Sequence, residues 1–190
     1  AKGLDFPSVA FVGVINADTS LAIPDFRAAE RTFQLVTQVA GRAGRVEAGG
    51  RVVVQTYMPR AVALQCAMRH DYESFAAHEL AIRRKFCLPP FSRLARVIVS
   101  RPSQLQAIAE TEAMAGQIRD FFTRNGIQAE VMGPQSAPIA RIKNLYRYEL
   151  LIQAANANQL MEACSRLRGD KSINLRARHV LMDVDPVALL

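Results

Sequence analysis

The first part of the chain contains two short apolar runs separated by an amphipathic stretch. Val9–Ile15 (VAFVGVI) is continuously apolar in the manner of a strand buried inside a parallel sheet, and Arg51–Tyr57 (RVVVQTY) predicts a second apolar strand. Residues 27–39 place apolar side chains every three or four positions, which predicts a helix ended by Gly41 and Gly44. The order strand, helix, strand predicts an α/β unit with a parallel sheet over residues 1–59.

Residues 60–86 contain neither proline nor glycine, and they predict one continuous connecting helix. Phe75, Ile82 and Phe86 recur at spacings of seven and four, so we expect them on one face of this helix. The sequence CLPPF at 87–91 must end the helix, because two successive prolines lack amide donors and impose extended backbone. We therefore assign residues 60–91 to a connecting helix and a proline-rich linker between two domains.

Residues 92–190 predict four strands and two helices in the order β-α-β-β-α-β. The first helix is expected to begin after a Ser103–Gln106 capping box and to end at Gly126, and the second to end at Gly169. This order is that of a ferredoxin-like α+β domain, in which two helices cover one face of an antiparallel sheet. The strands are expected at Arg93–Ser100, Ile127–Met132, Tyr148–Gln153 and His179–Val184.

Composition and charge narrow the class of protein. Half of the 190 residues are hydrophobic, which suits a globular chain, and no apolar run approaches the roughly 20 residues of a membrane span. The formal net charge of +7 favours a polyanionic partner such as nucleic acid. The three cysteines lack CxxC spacing, so we expect no metal site in this chain and a reducing, cytoplasmic location.

Two glycine-containing segments carry the first candidate chemistry: residues 1–7 (AKGLDFP) and residues 38–45 (QVAGRAGR). Glycines allow the backbone to turn tightly, and Arg42 and Arg45, three positions apart, can both direct planar guanidinium groups at one phosphate. A solvated Arg-Gly turn is the alternative interpretation of this pattern taken alone.

In this order and spacing, the two segments resemble motifs V and VI of superfamily 2 helicases. The stretch from residue 18 to residue 45 (DTSLAIPDFRAAERTFQLVTQVAGRAGR), CLPPF and the closing DVDP at 183–186 resemble the primosomal protein N′ (PriA) family of these helicases. The resemblance covers nearly the whole chain. It implies that residues 1–59 are the C-terminal part of a RecA-like helicase lobe 2, and that residues 92–190 form a domain similar to ribosomal protein S-ten that helps to bind branched DNA.

The resemblance also implies functions for residues of the first domain. Arg42 and Arg45 would act as catalytic arginines on the γ-phosphate of ATP held by another lobe, a contribution of about 10³–10⁵ in rate. Gly3, Asp5 and Gln38 would contact the nucleotide, and Lys2 would lie near the DNA. Simpler alternatives remain open at this point: a solvent-facing Gln38, an ordinary turn acid at Asp5 and a solvated Lys2.

The sequence contains neither a GxxxxGK[ST] phosphate loop nor a DExH sequence for magnesium. We therefore expect a fragment that cannot hydrolyse ATP alone, with ATP and Mg²⁺ bound by the intact protein. The resemblance further implies a zinc module upstream of this chain. It implies an intact enzyme that translocates 3′ to 5′ on DNA, recognises stalled forks and restarts replication by primosome assembly.

The segment 139–148 (IARIKNLYRY) interleaves basic and aromatic residues, which is the pattern of a surface that binds nucleic acid. Arg141, Lys143 and Arg147 are expected to hold phosphates, and Tyr146 is expected to stack on an unpaired base. The alternative is an exposed hairpin arm whose arginines are solvated and whose tyrosines pack on the core. The family implies forked and single-stranded DNA, the acidic tail of single-stranded DNA-binding protein and other primosome proteins as partners. A stand-alone nucleic-acid-binding module and a protein-interaction adaptor are the competing functions.

Overall fold

The chain folds into a mixed α/β structure with two compact units, Ala1–Ile82 and Arg83–Leu190. The computed structural model describes residues 9–43 and 51–186. The division between the units falls inside the segment 60–91 that the sequence assigns to a connection.

The first unit contains the predicted strand, helix and strand. Strand β1 spans Phe11–Val14, helix α1 Asp18–Leu21, helix α2 Ala28–Ala43 and strand β2 Arg51–Val54. β1 and β2 pair in parallel, with Phe11 opposite Arg51. The prediction of a parallel α/β arrangement is confirmed at this level.

The core of the first unit forms where α2 meets the helices that follow. Phe33 and Val36 of α2 are buried together with Leu64 and Phe75. The rings of Phe33 and Phe75 stack with centroids 4.4 Å apart, within the range of favourable aromatic pairs. The spacing of apolar residues in 27–39 thus identified the buried face of α2.

Two predictions for this unit hold only in part. The apolar strand is not fully buried, since the Phe11 side chain is 60% exposed and Ile15 84% exposed, because β1 pairs with β2 alone among the described residues. The helix continues through Gly41 to Ala43, the residue before Gly44, because a helical glycine costs only about 1 kcal/mol relative to alanine. The backbone of Arg42 is therefore helical.

The predicted single helix over 60–86 is two helices, α3 at Val62–Met68 and α4 at Tyr72–Lys85. His70 adopts a positive φ of 53° between them, and Asp71 then accepts a hydrogen bond from the Ser74 amide at 3.0 Å, as an N-cap residue does. The expected apolar face is not buried as a whole: Phe75 is buried, whereas Ile82 and Phe86 are exposed. In the sequence, the sign of this break was an aspartate that can cap a helix. The segment has neither proline nor glycine, and the apolar spacing continues across the break.

The second unit has the predicted element order. Its elements are β3 (Arg93–Arg101), α5 (Gln104–Asn125), β4 (Glu130–Ile142), β5 (Leu145–Ala154), α6 (Ala157–Gly169) and β6 (Val180–Val184). The strands form one antiparallel sheet in the order β4-β5-β3-β6. Helices α5 and α6 cover one face of this sheet and bury the main core with Val97, Leu150 and Ile152.

The helix ends of this unit follow the sequence in part. Gly126 ends α5 with a left-handed φ of 62°, as expected. Ser103 lies at the start of α5, but its side chain makes no capping hydrogen bond, so the predicted capping box is absent. The cap that does form belongs to α6, where Asn156 accepts a hydrogen bond from the Gln159 amide at 3.0 Å.

Strand β4 differs most from its prediction, because it begins at Glu130 rather than Ile127 and extends to Ile142 rather than Met132. Pro134 and Pro138 interrupt the sequence pattern, since proline cannot donate to a neighbouring strand. The sheet accommodates them as the edge strand, with register shifts between Met132 and Gln135 and between Ser136 and Arg141. The result is a long β4–β5 hairpin. Across the described residues, none of the helices combines the length and apolarity required to cross a membrane.

Candidate nucleic-acid interface

The segment 139–148 forms the end of the β4–β5 hairpin. Ile142 pairs with Leu145, so the hairpin turns through the two residues Lys143 and Asn144. Both have positive φ, 48° and 64°, as a type I′ turn requires, and asparagine tolerates this conformation better than most residues. This turn continues the right-handed twist of the strands and leaves the Lys143 ammonium exposed at the tip.

Next to the tip, Arg141 and Tyr146 lie opposite each other on the two strands. The Arg141 guanidinium carbon lies 4.9 Å from the centroid of the Tyr146 ring, a cation–π contact. A planar cation stacked on a ring offers donors to a phosphate and a flat surface to a base. The two residues that the sequence assigned to phosphate and base therefore form one unit.

Arg147 lies opposite a bulge in β4. β4 and β5 pair at Ser136–Tyr148 and next at Arg141–Tyr146. Four residues of β4, 137–140, therefore lie opposite the single residue Arg147 of β5. The Arg147 Nη1 donates a hydrogen bond to the Ile139 carbonyl at 3.2 Å. Arg147 thus supports the hairpin in addition to the phosphate contact that the sequence predicts.

Burial lowers the pKa of Arg147, and the nearby charge of Arg96 lowers it further, while Glu149 opposes both effects. An arginine has so high an ordinary pKa that Arg147 remains cationic at neutral pH. Its charge is therefore available to a polyanion, although part of the guanidinium is engaged by the bulge.

A buried ion pair anchors the hairpin to the rest of the sheet. Arg96 Nε on β3 donates to Glu149 Oε2 on β5 at 2.7 Å, and both side chains are at most 3% exposed. Gln135 Nε2 on β4 donates to the other carboxylate oxygen at 2.9 Å. One carboxylate therefore joins three adjacent strands just before the hairpin leaves the core.

The strand register adds two arginines that the sequence did not bring to notice. Arg101 at the end of β3 pairs with Tyr146, which places the tyrosine between Arg101 and Arg141. Val180 of β6 pairs with Val99 of β3, and these two strands are antiparallel. Arg178, two residues before Val180, is therefore level with Arg101, two residues after Val99. We call Arg141, Tyr146, Arg101 and Arg178 the sheet-end row. No local pattern could reveal it, because its members are far apart in sequence and only the strand pairing aligns them.

Glu110 of α5 balances part of this positive charge. Arg101 binds it with two hydrogen bonds, of 2.5 Å from Nε and 3.0 Å from Nη2. His179 Nε2 lies 2.8 Å from Glu110 Oε1. The hydrogen bond from Arg101 and, after it, that from His179 hold the pKa of Glu110 below its ordinary value. Arg141, Lys143 and Arg178 have no carboxylate partner in the parts of the chain that the structure describes.

The candidate nucleotide-binding residues of the first unit are less completely placed. Lys2, Gly3, Asp5 and Arg45 lie outside the described residues, and so does the side chain of Arg42. Gln38 lies on α2 with its side chain exposed. Within residues 9–43 and 51–186, no three His, Cys, Asp or Glu side chains are grouped as ligands of a metal ion.

Comparisons with known proteins identify the family. The model of the Primosomal protein N C-terminal domain matches residues 84–187. The replication restart protein PriA of Bacillus subtilis (strain 168) is 44% identical over 186 residues, which cover 97% of this chain and 23% of the relative. That of Treponema pallidum (strain Nichols) is 40% identical over 190 residues, 100% of this chain and 28% of the relative.

A third relative, the replication restart protein PriA of Synechocystis sp. (strain ATCC 27184 / PCC 6803 / Kazusa), is 34% identical over 188 residues, 99% of this chain and 22% of the relative. The chain thus spans about a quarter of the length of the curated relatives that it matches. The match to the domain model covers more than half of the chain and includes the hairpin and the sheet-end row. The chain belongs to the replication restart protein PriA family.

Proposed function

We propose that this chain is the C-terminal part of an ATP-dependent DNA helicase that restarts replication, and that its second unit holds DNA. The observation that carries the second half is the end of the β4–β5 hairpin, where Arg141 is stacked on Tyr146 beside Lys143. Phosphate contacts by cations supply most sequence-independent affinity for DNA, and aromatic rings add stacking to unpaired bases. Arg147 is a further candidate cation of the hairpin, and because strand residues alternate between faces it lies on the sheet face opposite Tyr146, near Arg96 and Glu149.

The topology supports a ferredoxin-like assignment for the second unit. Its elements follow the order β-α-β-β-α-β, and the two outer strands of the sheet are the second and the fourth. The first unit, with a parallel strand, helix and strand, is consistent with part of a RecA-like lobe 2. In this proposal, residues 1–59 belong to that lobe, 60–91 connect, and 92–190 contact DNA.

The ATP-dependent function requires residues that this chain does not contain. In the intact protein, Arg42 and Arg45 would stabilise charge on the γ-phosphate, Gln38, Gly3 and Asp5 would contact the nucleotide, and Lys2 would lie near DNA. The bound species would be ATP with Mg²⁺, and the zinc module would lie upstream. This part of the proposal rests on the family resemblance, and of Arg42 the structure describes only the backbone, which is helical.

The ATPase part is tested in the full-length protein with Arg42→Ala. DNA-stimulated ATP hydrolysis should fall by about 10³-fold or more if Arg42 acts on the γ-phosphate. Arg60→Ala is the matched control, because Arg60 is an exposed arginine of the same unit outside α2. Equal rates for the two variants would exclude the assignment of Arg42.

The DNA part is tested by titrating the chain with forked and linear DNA at several salt concentrations. We expect binding that weakens as salt rises, because each neutralised phosphate releases counterions. Salt-dependent binding without preference for forks would favour a stand-alone nucleic-acid-binding module. No salt-dependent binding to either DNA would favour a protein-interaction adaptor.

We also propose other primosome proteins and the acidic tail of single-stranded DNA-binding protein as partners, in the cytoplasm. The net charge of +7 supports an acidic partner without identifying the contact residues.

A further inference from the structure

The sheet-end row runs across the strands rather than along one of them. Arg141 lies on β4, Tyr146 on β5, Arg101 on β3, and Arg178 just before β6. Adjacent strands lie about 4.8 Å apart, so the row extends for about 14 Å. That length is several times the roughly 3.4 Å per phosphate of one stacked strand. The row can therefore follow a polynucleotide backbone over more than one nucleotide.

A groove adjoins the row at the same end of the sheet. It has a volume of about 370 Å³, and its lining includes four apolar side chains, Leu145 and Leu181 among them, and three basic ones, Arg101, Arg178 and His179. Apolar walls with a few polar groups are typical of sites that take a flat organic ring. This combination suits a nucleobase with its phosphate at the basic rim.

The same features favour an unpaired strand over a duplex. A base in a duplex has both faces covered by its neighbours, so it cannot stack on Tyr146 or enter the groove without leaving the stack. A single strand exposes its bases, and stacking on aromatic side chains is how single-strand binders hold them. Phosphate contacts alone would suit either form of DNA.

The positions of the carboxylate partners indicate where along the sheet-end row phosphates are attracted most strongly. Arg141 and Arg178 at the two ends have no carboxylate partner among the described residues, whereas Glu110 neutralises part of the charge of Arg101 in the middle. Phosphates are therefore attracted most strongly to the two ends. The ring of Tyr146 lies between Arg141 and Arg101, where a base is needed rather than a phosphate.

We propose that the sheet-end row is a binding path for single-stranded DNA, which crosses the ends of β4, β5 and β3 from Arg141 to Arg178 with one base against Tyr146. This proposal rests on the DNA-binding function proposed above. It adds Arg101 and Arg178 to the residues that contact DNA, and it assigns the unpaired strand to this end of the sheet.

The test is fluorescence anisotropy of a labelled oligothymidylate of about 15 nucleotides, which exceeds most site sizes of single-strand binders. The full 190-residue chain is titrated at a series of salt concentrations. Arg141→Ala and Arg178→Ala should each reduce the slope of log affinity against log salt by about 0.7, the contribution of one phosphate on a single strand. Tyr146→Leu should weaken binding by about 5- to 160-fold without removing a cation.

Arg124→Ala is the matched control, because it removes the same charge at the far end of α5. Arg124 lies 20 positions after the first residue of α5, Gln104, and hence about 30 Å along the helix. Its Nε donates to the Asp120 carbonyl of its own helix, so its loss should leave the salt slope unchanged. Circular dichroism of each variant verifies that it is folded.

The outcomes separate this proposal from the function on which it rests. If the wild-type chain binds no DNA, both fail. If it binds forked DNA in a salt-dependent manner but Arg178→Ala and Tyr146→Leu match Arg124→Ala on the oligothymidylate, the path is wrong and the DNA-binding function stands. A lower salt slope for Arg141→Ala and Arg178→Ala with the control unchanged supports the path. Equal loss of affinity for a blunt duplex would overturn the assignment to a single strand.

Discussion

The buried ion pair below the hairpin gives the sharpest test of the second unit. Glu149→Gln removes the negative charge while it keeps the size of the side chain. Arg96 Nε then loses a charged acceptor at 2.7 Å in a site where both side chains are at most 3% exposed, so solvent cannot replace the interaction. Gln135, which donates to the same carboxylate, keeps an acceptor of lower charge.

The expected loss of stability follows from the Coulomb attraction and the cost of burial. Two unit charges about 4 Å apart attract by about 4 kcal/mol at an effective dielectric constant of about 20. Removing one partner of a buried pair costs about 3–5 kcal/mol, because the other charge remains buried. In a domain of roughly 100 residues, each 1 kcal/mol lowers Tm by about 4–8 °C, so we expect a decrease of at least about 12 °C.

Thermal unfolding by circular dichroism measures this decrease, and two variants complete the design. Glu162→Gln removes one partner of an exposed helical pair, Arg166 to Glu162 at 3.2 Å, and should change Tm by no more than about 4 °C. The double variant Arg96→Met with Glu149→Met removes both charges and should recover most of the loss. A Glu149→Gln variant as stable as Glu162→Gln would show that the buried ion pair does not stabilise the second unit.

Three further outcomes are expected. Gly133→Ala should destabilise the chain by about 1–3 kcal/mol in thermal unfolding. The φ of Gly133 is +95°, and a Cβ there would lie 2.9 Å from a backbone carbonyl oxygen of β5. Gly116→Ala is the control, because a Cβ at Gly116 meets open space and the change should be neutral or stabilising. The pKa of Glu110 is lowered in the folded state, so the ionised carboxylate stabilises the fold above its ordinary pKa of 4.5, and this stabilisation is lost as pH falls through the folded value. Glu110→Gln should therefore make stability less dependent on pH below about 4.5. An unchanged pH profile would contradict this. Burial raises the pKa of Cys164 to about 11, so a thiol reagent at pH 8 should label the exposed Cys87 and leave Cys164 unmodified until the chain unfolds.

The fold of the second unit could be predicted from the sequence because local residue patterns mark where its elements begin and end. Gly126 and Gly169 end helices where the apolar spacing ends, and the two central strands contain the apolar runs Val97–Val99 and Leu150–Ile152. Elsewhere, the position of a segment in the folded sheet determined its structure against the local sequence pattern. Pro134 and Pro138 concealed the length of β4, since a sequence pattern cannot show that the strand lies at a sheet edge where prolines are tolerated.

The helices after β2 illustrate a different limit. The break at His70 depends on one residue with positive φ and an aspartate cap, and neither interrupts the apolar spacing. The exposure of Phe11 depends on how many strands lie beside β1, and among the described residues β2 alone pairs with it. Sequence reasoning identified these elements but not their ends or burial.

For the candidate site, local composition identified the hairpin but not its neighbours. The alternation of basic and aromatic residues in 139–148 marked Arg141 and Tyr146, and the structure places them in contact. Arg101 and Arg178 carry no local motif, and only the pairing of β3 with β5 and β6 aligns them with the hairpin. The ion pair of Arg96 and Glu149 is likewise a product of register.

Mapping where single-stranded DNA contacts the chain tests whether the end of the sheet binds it. An oligothymidylate with photoreactive thymidines would be cross-linked to the 190-residue chain, and the modified peptides identified by mass spectrometry. We expect cross-links in residues 139–148 and around Arg178, and their loss in Tyr146→Leu. Cross-links confined to α6 or to the first unit, with none at the end of the sheet, would contradict the claim that this surface holds DNA.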